Sequence, residues 1–370
     1  MRVNPDNERI KRRYFHELRE ANGLAEVTID HAARAIADFE RFTDWADFKR
    51  FRASDASGYR KHLLAAGGKR KSQLSNRSTV RTKLVQVQKF FTWLSKQPGF
   101  KSRISYADPK YFNLSNRDKR IAAQRPLKPA PTPEQVRHVV LSTPSGTDIE
   151  LRNRALIALI LLTGIRVTAA ITLKLKHVRP DDSIFQDANE VRTKFAKMQT
   201  TYFFPVGTDI REIFEAYVSH LRTNLLWGED DPLFPSTRQA LDEQRSLKPV
   251  GLSKEHWKTS HPVRQIFKRT FEAAGVPYHT PHSLRRTLAR LGERVCRTPE
   301  ELKAWSQNLG HDELMTTFGY GAVPLQQQAD ILARLKADPP ADETSDLRQF
   351  EEMLSKPGIQ AFINAINKEK

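Results

Sequence analysis

Residues 281–287 read Pro281-His282-Ser283-Leu284-Arg285-Arg286-Thr287, and the stretch they open closes on Leu309-Gly310-His311 and Thr316-Thr317-Phe318-Gly319-Tyr320. His282 and Arg285 stand three apart, so on a helix they share one face. Two imidazoles, a guanidinium and a phenol in so short a span suit a phosphodiester under attack. Tyr320 is the candidate nucleophile. Each residue taken singly reads as readily as an ordinary polar side chain, so the rest of the chain has to supply the reason.

A phosphoryl transfer state carries extra charge on its non-bridging oxygens. A guanidinium answers it best, because its planar fork meets two oxygens and stays charged. Arg285 is one such group. Arg166, in Leu161-Leu162-Thr163-Gly164-Ile165-Arg166, is the second, just past an apolar helix that a glycine stops. A leaving oxygen needs a proton, and a lysine on a turn between strands can deliver it. Lys197 is the choice and Lys194 the alternative. A phenol, with a reference pKa of about 10, needs positive charge and a proton acceptor beside it. His282 and His311 titrate near neutrality and fit that need.

Charge supplies the substrate class. The net charge is +18, and residues 51–130 hold 19 Lys and Arg against 3 Asp and Glu, a net +16. Segregation of this kind points to a polyanionic partner. Within it, Val80, Leu84, Val87, Phe91 and Leu94 recur at helical spacing, with Arg77, Arg81, Lys83 and Lys89 between them. That pattern predicts an amphipathic helix over 76–94 with a cationic outer face. The loop Lys69-Arg70-Lys71 leads into it. All seven cations are candidate DNA-binding residues whose contribution should fall steeply with salt.

The remaining organisation reads as mainly α with a small β-sheet (α+β). Helices are predicted over 7–20, 28–45 (Ile29, Ala32, Ala33, Ile36, Phe39 and Phe42 inward) and 53–66. Residues 101–131, rich in basic residues and proline, read as an extended linker. Thr132, Pro133 and Gln135 form a capping-box start, and a buried helix covers 148–163. Candidate strands are 183–185, 190–192 and 201–206. Helices follow over 208–223, 262–274, 282–295, 299–308 and 324–336, then an acidic, proline-rich break at 338–342 and a helical tail. The expected divisions are thus 1–100, a linker 101–131, 132–335, and a tail 336–370.

The longest apolar run, Ala155–Leu162, is short of the roughly 20 residues of a membrane span. No secretory leader is expected from Met1-Arg2-Val3-Asn4-Pro5-Asp6. The lone Cys296 rules out an internal disulfide framework and a cysteine-based zinc site. A cytoplasmic protein with no membrane partner is expected.

The ordered set Thr163-Gly164-Ile165-Arg166, Lys197 ahead of Phe204-Pro205-Val206, His282-x-x-Arg285, Leu309-Gly310-His311 and Thr316-Thr317-x-x-Tyr320 resembles the tyrosine site-specific recombinases, or phage-type integrases. In that family the lysine commonly stands eight residues before a proline that closes the following strand, which favours Lys197 over Lys194. The resemblance implies an N-terminal helical core-binding (SAM-like) domain and a tyrosine-recombinase catalytic domain forming a C-shaped DNA clamp. It implies cleavage through a 3′-phosphotyrosine on Tyr320, with Arg166, Arg285 and His311 on the phosphate, His282 assisting proton transfer and Lys197 as general acid. Strands would be exchanged through a Holliday junction by a tetramer on a specific duplex site, with no cofactor or metal, in a bacterial or mobile-element setting on the nucleoid. The tail would pack on a neighbouring protomer. The family's acidic residue three after the first arginine is here Ala169, and Arg286 stands where histidine is common. A type IB topoisomerase-like enzyme and a non-catalytic DNA-binding protein on the same scaffold are the alternatives.

Overall fold

The computed structural model describes residues 3–67, 73–123, 129–241 and 246–310. They fall into two compact units, parted between residues 126 and 127.

The first unit is helical. Asn4 caps α1 (Pro5–Glu20) by accepting from the Asp6 and Asn7 N–H groups, with Pro5 where a missing donor costs nothing. α2 (Glu26–Phe42), α3 (Ala53–Gly67) and α4 (Gln73–Leu94) follow. Val80, Leu84, Val87, Phe91 and Leu94 of α4 are all buried, as their spacing predicts, and Phe90 joins them. The core is aromatic: Phe51 stacks on Phe91 with ring centroids 3.8 Å apart, and Phe39 meets Tyr59, Phe91 and Phe112 edge-on. Of the residues read as inward on α2, Ala33 is only half-buried and Phe42 is exposed at the rim, where its ring lies beside Tyr59 and His62.

One polar node lies inside this unit. Asn7 is fully buried, donating to Glu40 at 3.2 Å and to the Ala46 carbonyl at 3.0 Å while accepting from the Phe48 N–H. Lys11 closes the node on Glu40 at 2.6 Å. Burial alone would lower the Lys11 ammonium, but hydrogen bonds to Glu40 and Glu8 outweigh it and hold its pKa above the ordinary value.

Residues 101–123 correct the extended-linker reading. A 3-10 turn covers Asp108–Phe112 and α5 spans Asn116–Ala123. Phe100, Ile104, Phe112, Leu114 and Ala122 are buried in the aromatic core. Their apolar spacing is irregular because they serve turns, not one long helix.

The second unit is built round one helix. α6 (Pro133–Ser142) starts at the predicted Thr132–Gln135 capping box, and α7 (Asp148–Thr163) starts at a second box, Thr147–Glu150. Residues 155–163 of α7 are all buried, wrapped by side chains from the elements that precede and follow it. Arg152, on the same helix, is 2% exposed. It donates to the Pro235 carbonyl (2.9 Å) and Thr237 Oγ1 (3.0 Å) and lies 4.7 Å over the Trp257 ring. Burial lowers its pKa to about 10.

After the short α8 (Val167–Ala170) comes an antiparallel sheet of β1 (Val178–Arg179), β2 (Ser183–Gln186) and β3 (Gln199–Tyr202), in that order. Residues 190–192, read as a strand, form a turn and bend instead, in which Glu190 gathers Lys174, Lys176 and His177. The strand read at 201–206 is shifted to β3, because the Phe204 N–H leaves the sheet for the Leu162 carbonyl. α9 (Thr208–Ser219) runs into a π-helical turn over His220–Asn224. β4 (Pro235–Leu241) and β5 (Leu247–His256) form a bulged hairpin that the sequence pattern did not announce. α10 (His261–Ala273), α11 (Pro281–Val295) and α12 (Pro299–Asn308) complete the described chain. No helix among the described residues is long and apolar enough to cross a membrane.

Candidate active site

The end of α7 organises the site. Thr163 Oγ1 turns back onto the Leu159 carbonyl at 2.6 Å and accepts from the Ile165 N–H. Gly164 then takes φ +61°, a left-handed conformation that costs other residues about 1–2 kcal/mol. Space reinforces that choice: a Cβ there would lie 2.8 Å from Leu309 Cδ2 and 3.1 Å from Leu288 Cδ1. The chain leaves this turn directly into Arg166, the half-buried N-cap residue of α8.

Arg285 comes to the same place from α11. It is 3% exposed, and its Nη1 donates to the Gly164 carbonyl at 3.1 Å while Nη2 donates to the Leu309 carbonyl. One guanidinium therefore ties the turn carrying Arg166 to the end of α12, two residues before His311. A buried guanidinium held this way is fixed in orientation, because each charge-assisted bond is directional and worth about 1.5–3 kcal/mol. His282 lies exposed in the first turn of α11, three residues from Arg285.

The lysines come from the connection between β2 and β3. Lys194 opens a 3-10 turn over Lys194–Ala196, and Lys197 follows it in extended conformation; both are exposed. Ala196 between them adopts φ +48°, so this connection is a sharp, conformationally restricted turn. β3 and the residues just after it are hydrogen-bonded to the other segments. The Phe204 N–H donates to the Leu162 carbonyl at 2.7 Å, and Asn308 at the end of α12 hydrogen-bonds the N–H and the carbonyl of Tyr202. α12 is seated on α11 through Trp305, whose Nε1 donates to the Leu288 carbonyl at 2.9 Å and whose ring fills the space left by Gly292.

The described residues thus bring Arg166, Arg285, His282 and the Lys194–Lys197 segment onto elements that meet at the ends of α7 and α12. His311 and Tyr320 lie outside the described residues, as do Lys69, Arg70, Lys71 and the tail. Of the other basic residues named for DNA, Arg81 and Lys89 lie exposed on α4, whereas Arg77 pairs with Asp118 and Lys83 with Asp38. Among the described residues no group of three or more His, Cys, Asp or Glu side chains is placed to hold a metal. Asn308 was missed from the sequence. The only signal for it was an amide side chain immediately before Leu309-Gly310-His311.

Residues 131–324 match the model of the phage integrase family, a span of more than half the chain. The chain belongs to this family: it is a tyrosine recombinase, an enzyme that cuts and rejoins DNA. It is 27% identical to tyrosine recombinase XerC of Lactobacillus delbrueckii over 267 residues, covering 72% of this chain and 77% of the relative. It is 22% identical to tyrosine recombinase XerD of Oceanobacillus iheyensis over 325 residues, covering 86% and 95%. Among solved structures, XerH bound to a palindromic difH substrate in a post-cleavage complex matches with a TM-score of 0.59 at 17% identity, over 88% of this chain and 84% of that one. A lambda integrase dimer bound to a COC′ core site matches with a TM-score of 0.58 at 16% identity, over 85% and 94%. These two likenesses show the fold.

Proposed function

We propose that this chain exchanges DNA strands at a specific duplex site through a phosphotyrosine on Tyr320. The observation that carries the reading is the double tie of Arg285 to the Gly164 and Leu309 carbonyls, which joins the segments bearing Arg166 and His311. Tyr320 attacks the phosphorus, its oxygen forms the new P–O bond, and the bond to the 5′ oxygen breaks. Arg166, Arg285 and His311 share the charge that builds on the non-bridging oxygens, a task for which donors fixed beforehand are most effective. His282 assists removal of the phenol proton, and Lys197 (or Lys194, on the same connection) protonates the departing 5′ oxygen. The linkage formed is an ester of the same order, so the reverse attack reseals a strand without ATP. No step calls on a metal ion, so a chelator is expected to leave cleavage unchanged.

Binding rests on the first unit. Arg81 and Lys89 on α4, with Lys69, Arg70 and Lys71 ahead of it and Arg77 and Lys83 beside them, neutralise backbone phosphates. A tetramer on two sites and passage through a Holliday junction follow from strand exchange between duplexes. A lambda integrase tetramer bound to a Holliday junction, a structural neighbour with a TM-score of 0.54, supports that assembly. The expected division into 1–100, 101–131, 132–335 and 336–370, with an inter-protomer helix in the last, belongs to the same proposal, with residues 101–123 reassigned to the first unit. So does a bacterial or mobile-element setting.

The test is a library of nicked suicide duplexes with randomised core sequence, in which cleaved strands stay covalently attached to protein and are recovered after denaturation. The wild-type chain is expected to select one site, and Tyr320→Phe to yield no adduct. An undiminished adduct with Tyr320→Phe would overturn the assignment. Recombination between two copies of the recovered site then distinguishes exchange from simple relaxation.

A further inference from the structure

β3 is the outer strand of its sheet, so the peptide groups of Tyr202 face away from β2, and an outer edge of this kind ordinarily pairs with water or another chain. Here the edge is closed by a side chain. The Tyr202 N–H donates to Asn308 Oδ1 at 2.8 Å, and Asn308 Nδ2 donates to the Tyr202 carbonyl at 2.9 Å. A carboxamide is the one neutral side-chain group that offers a donor and an acceptor side by side, as a neighbouring strand would. Its orientation is settled by its partners, since the peptide N–H only donates and the carbonyl only accepts. Gln199, at the other end of β3, adds a bond from its Nε2 to the Asn308 carbonyl at 3.0 Å. The side chain of Gln199 lies so near Gly310 that a Cβ there would collide with its carboxamide.

This clasp joins two segments of the proposed reaction centre. Lys197 stands two residues before Gln199, and His311 stands three residues after Asn308. Sliding or fraying of β3 would move the lysine with respect to the phosphate held by the arginines, and a misplacement of about 1 Å costs a proton transfer heavily. We propose that Asn308, supported by Gln199, is a positioning residue for the leaving-group proton: it closes the edge of β3 and so sets the reach of the lysine-bearing connection. The inference rests on the reading of Lys197 or Lys194 as general acid. In that step the lysine N–H bond breaks as its proton passes to the 5′ oxygen, while the P–O5′ bond breaks and the Tyr320 O–P bond forms.

Replacing the 5′ bridging oxygen by sulfur removes the need for that proton, since a thiolate leaves unaided. Single-turnover cleavage of the two forms of the recovered suicide duplex is therefore the test. With the ordinary substrate, Asn308→Ala is expected to cleave about 10- to 100-fold more slowly, within the range that general acid catalysis contributes. With the sulfur substrate it is expected to recover to within about threefold of wild type. Gln199→Ala, which removes only the supporting bond, is expected to show the same pattern at smaller amplitude. Equal slowing on both substrates, or no slowing on either, would overturn the proposal. Lys197→Ala and Lys194→Ala are run beside them. If one lysine variant is rescued by sulfur and Asn308→Ala is not, this inference alone fails. If neither lysine variant is rescued, the general-acid reading fails first and takes the inference with it. Hydrogen exchange at the Tyr202 amide checks the cause without reference to activity: it should quicken in Asn308→Ala while the melting transition is retained. Unchanged protection would also overturn the clasp.

Discussion

The two units hold the cations proposed for binding and for chemistry in opposite ways. In the first, Arg77 and Lys83 are met by single carboxylates, Asp118 and Asp38, while Arg81 and, further along α4, Lys89 stand exposed. Nothing in that arrangement demands a fixed geometry. Long side chains on a helical face suit a backbone that presents a phosphate every few ångströms, and their effect is a field that salt screens. In the second unit, Arg285 is buried and directed by two backbone carbonyls, and β3 is clasped by Asn308. Affinity tolerates mobile charges, whereas chemistry at one phosphorus requires fixed ones.

The sharpest way to break this comparison is Arg285→Lys. The charge survives but the fork does not, so one ammonium cannot reproduce both carbonyl ties. Cleavage is expected to fall by about a thousandfold, with DNA affinity changed little. A parallel loss of affinity in a gel-shift titration would show that Arg285 serves binding as much as chemistry.

The first unit has its own rigid point, the Asn7–Glu40–Lys11 node. Glu40→Ala leaves Lys11 and Asn7 without their shared acceptor and is expected to cost about 3 kcal/mol, the usual penalty for breaking a buried pair. Denaturant unfolding should show the loss in the first unit. A change below about 0.5 kcal/mol would mean that water satisfies the node.

Gly164→Ala tests how far packing at the α7 turn governs the second unit. Positive φ and contact with Leu309 and Leu288 together are expected to cost about 2 kcal/mol, with cleavage reduced and DNA binding retained. The smallest effects belong to α4. Arg81→Ala and Lys89→Ala should each lower the slope of log affinity against log salt by about 1, whatever the DNA sequence. Lys83→Ala, whose charge Asp38 already offsets, should change the slope less.

Much of the second unit was legible from sequence because its signals are local. Gly164 ends α7 where its apolar run stops, Thr132 and Gln135 begin α6, and Pro281 and Pro299 open α11 and α12. The misreadings arose where long-range bonds override local pattern. Residues 190–192 alternate like a strand, yet the cations Lys174, Lys176 and His177 hold Glu190 in a turn. Residues 101–123 look irregular, yet Phe112 and Leu114 find places in an aromatic core assembled from α2, α3 and α4. The β4–β5 hairpin has most of its side chains exposed, so no strong alternation of apolar residues marks it.

By itself the sequence determined the helical character, the concentration of positive charge in residues 51–130 and the ordered set Arg166, Lys197, His282, Arg285, His311 and Tyr320. These are properties of spacing and composition, which survive in an unfolded chain. Only the tertiary structure decided that Arg285 is held by Gly164 and Leu309, that β3 is closed by Asn308 and that Arg77 and Lys83 have acidic neighbours. For Arg285 the partners lie 121 and 24 residues away, for Tyr202 of β3 106, and for Lys83 45. A hydrogen bond depends on direction and distance in space, and spacing along the chain specifies neither across such intervals.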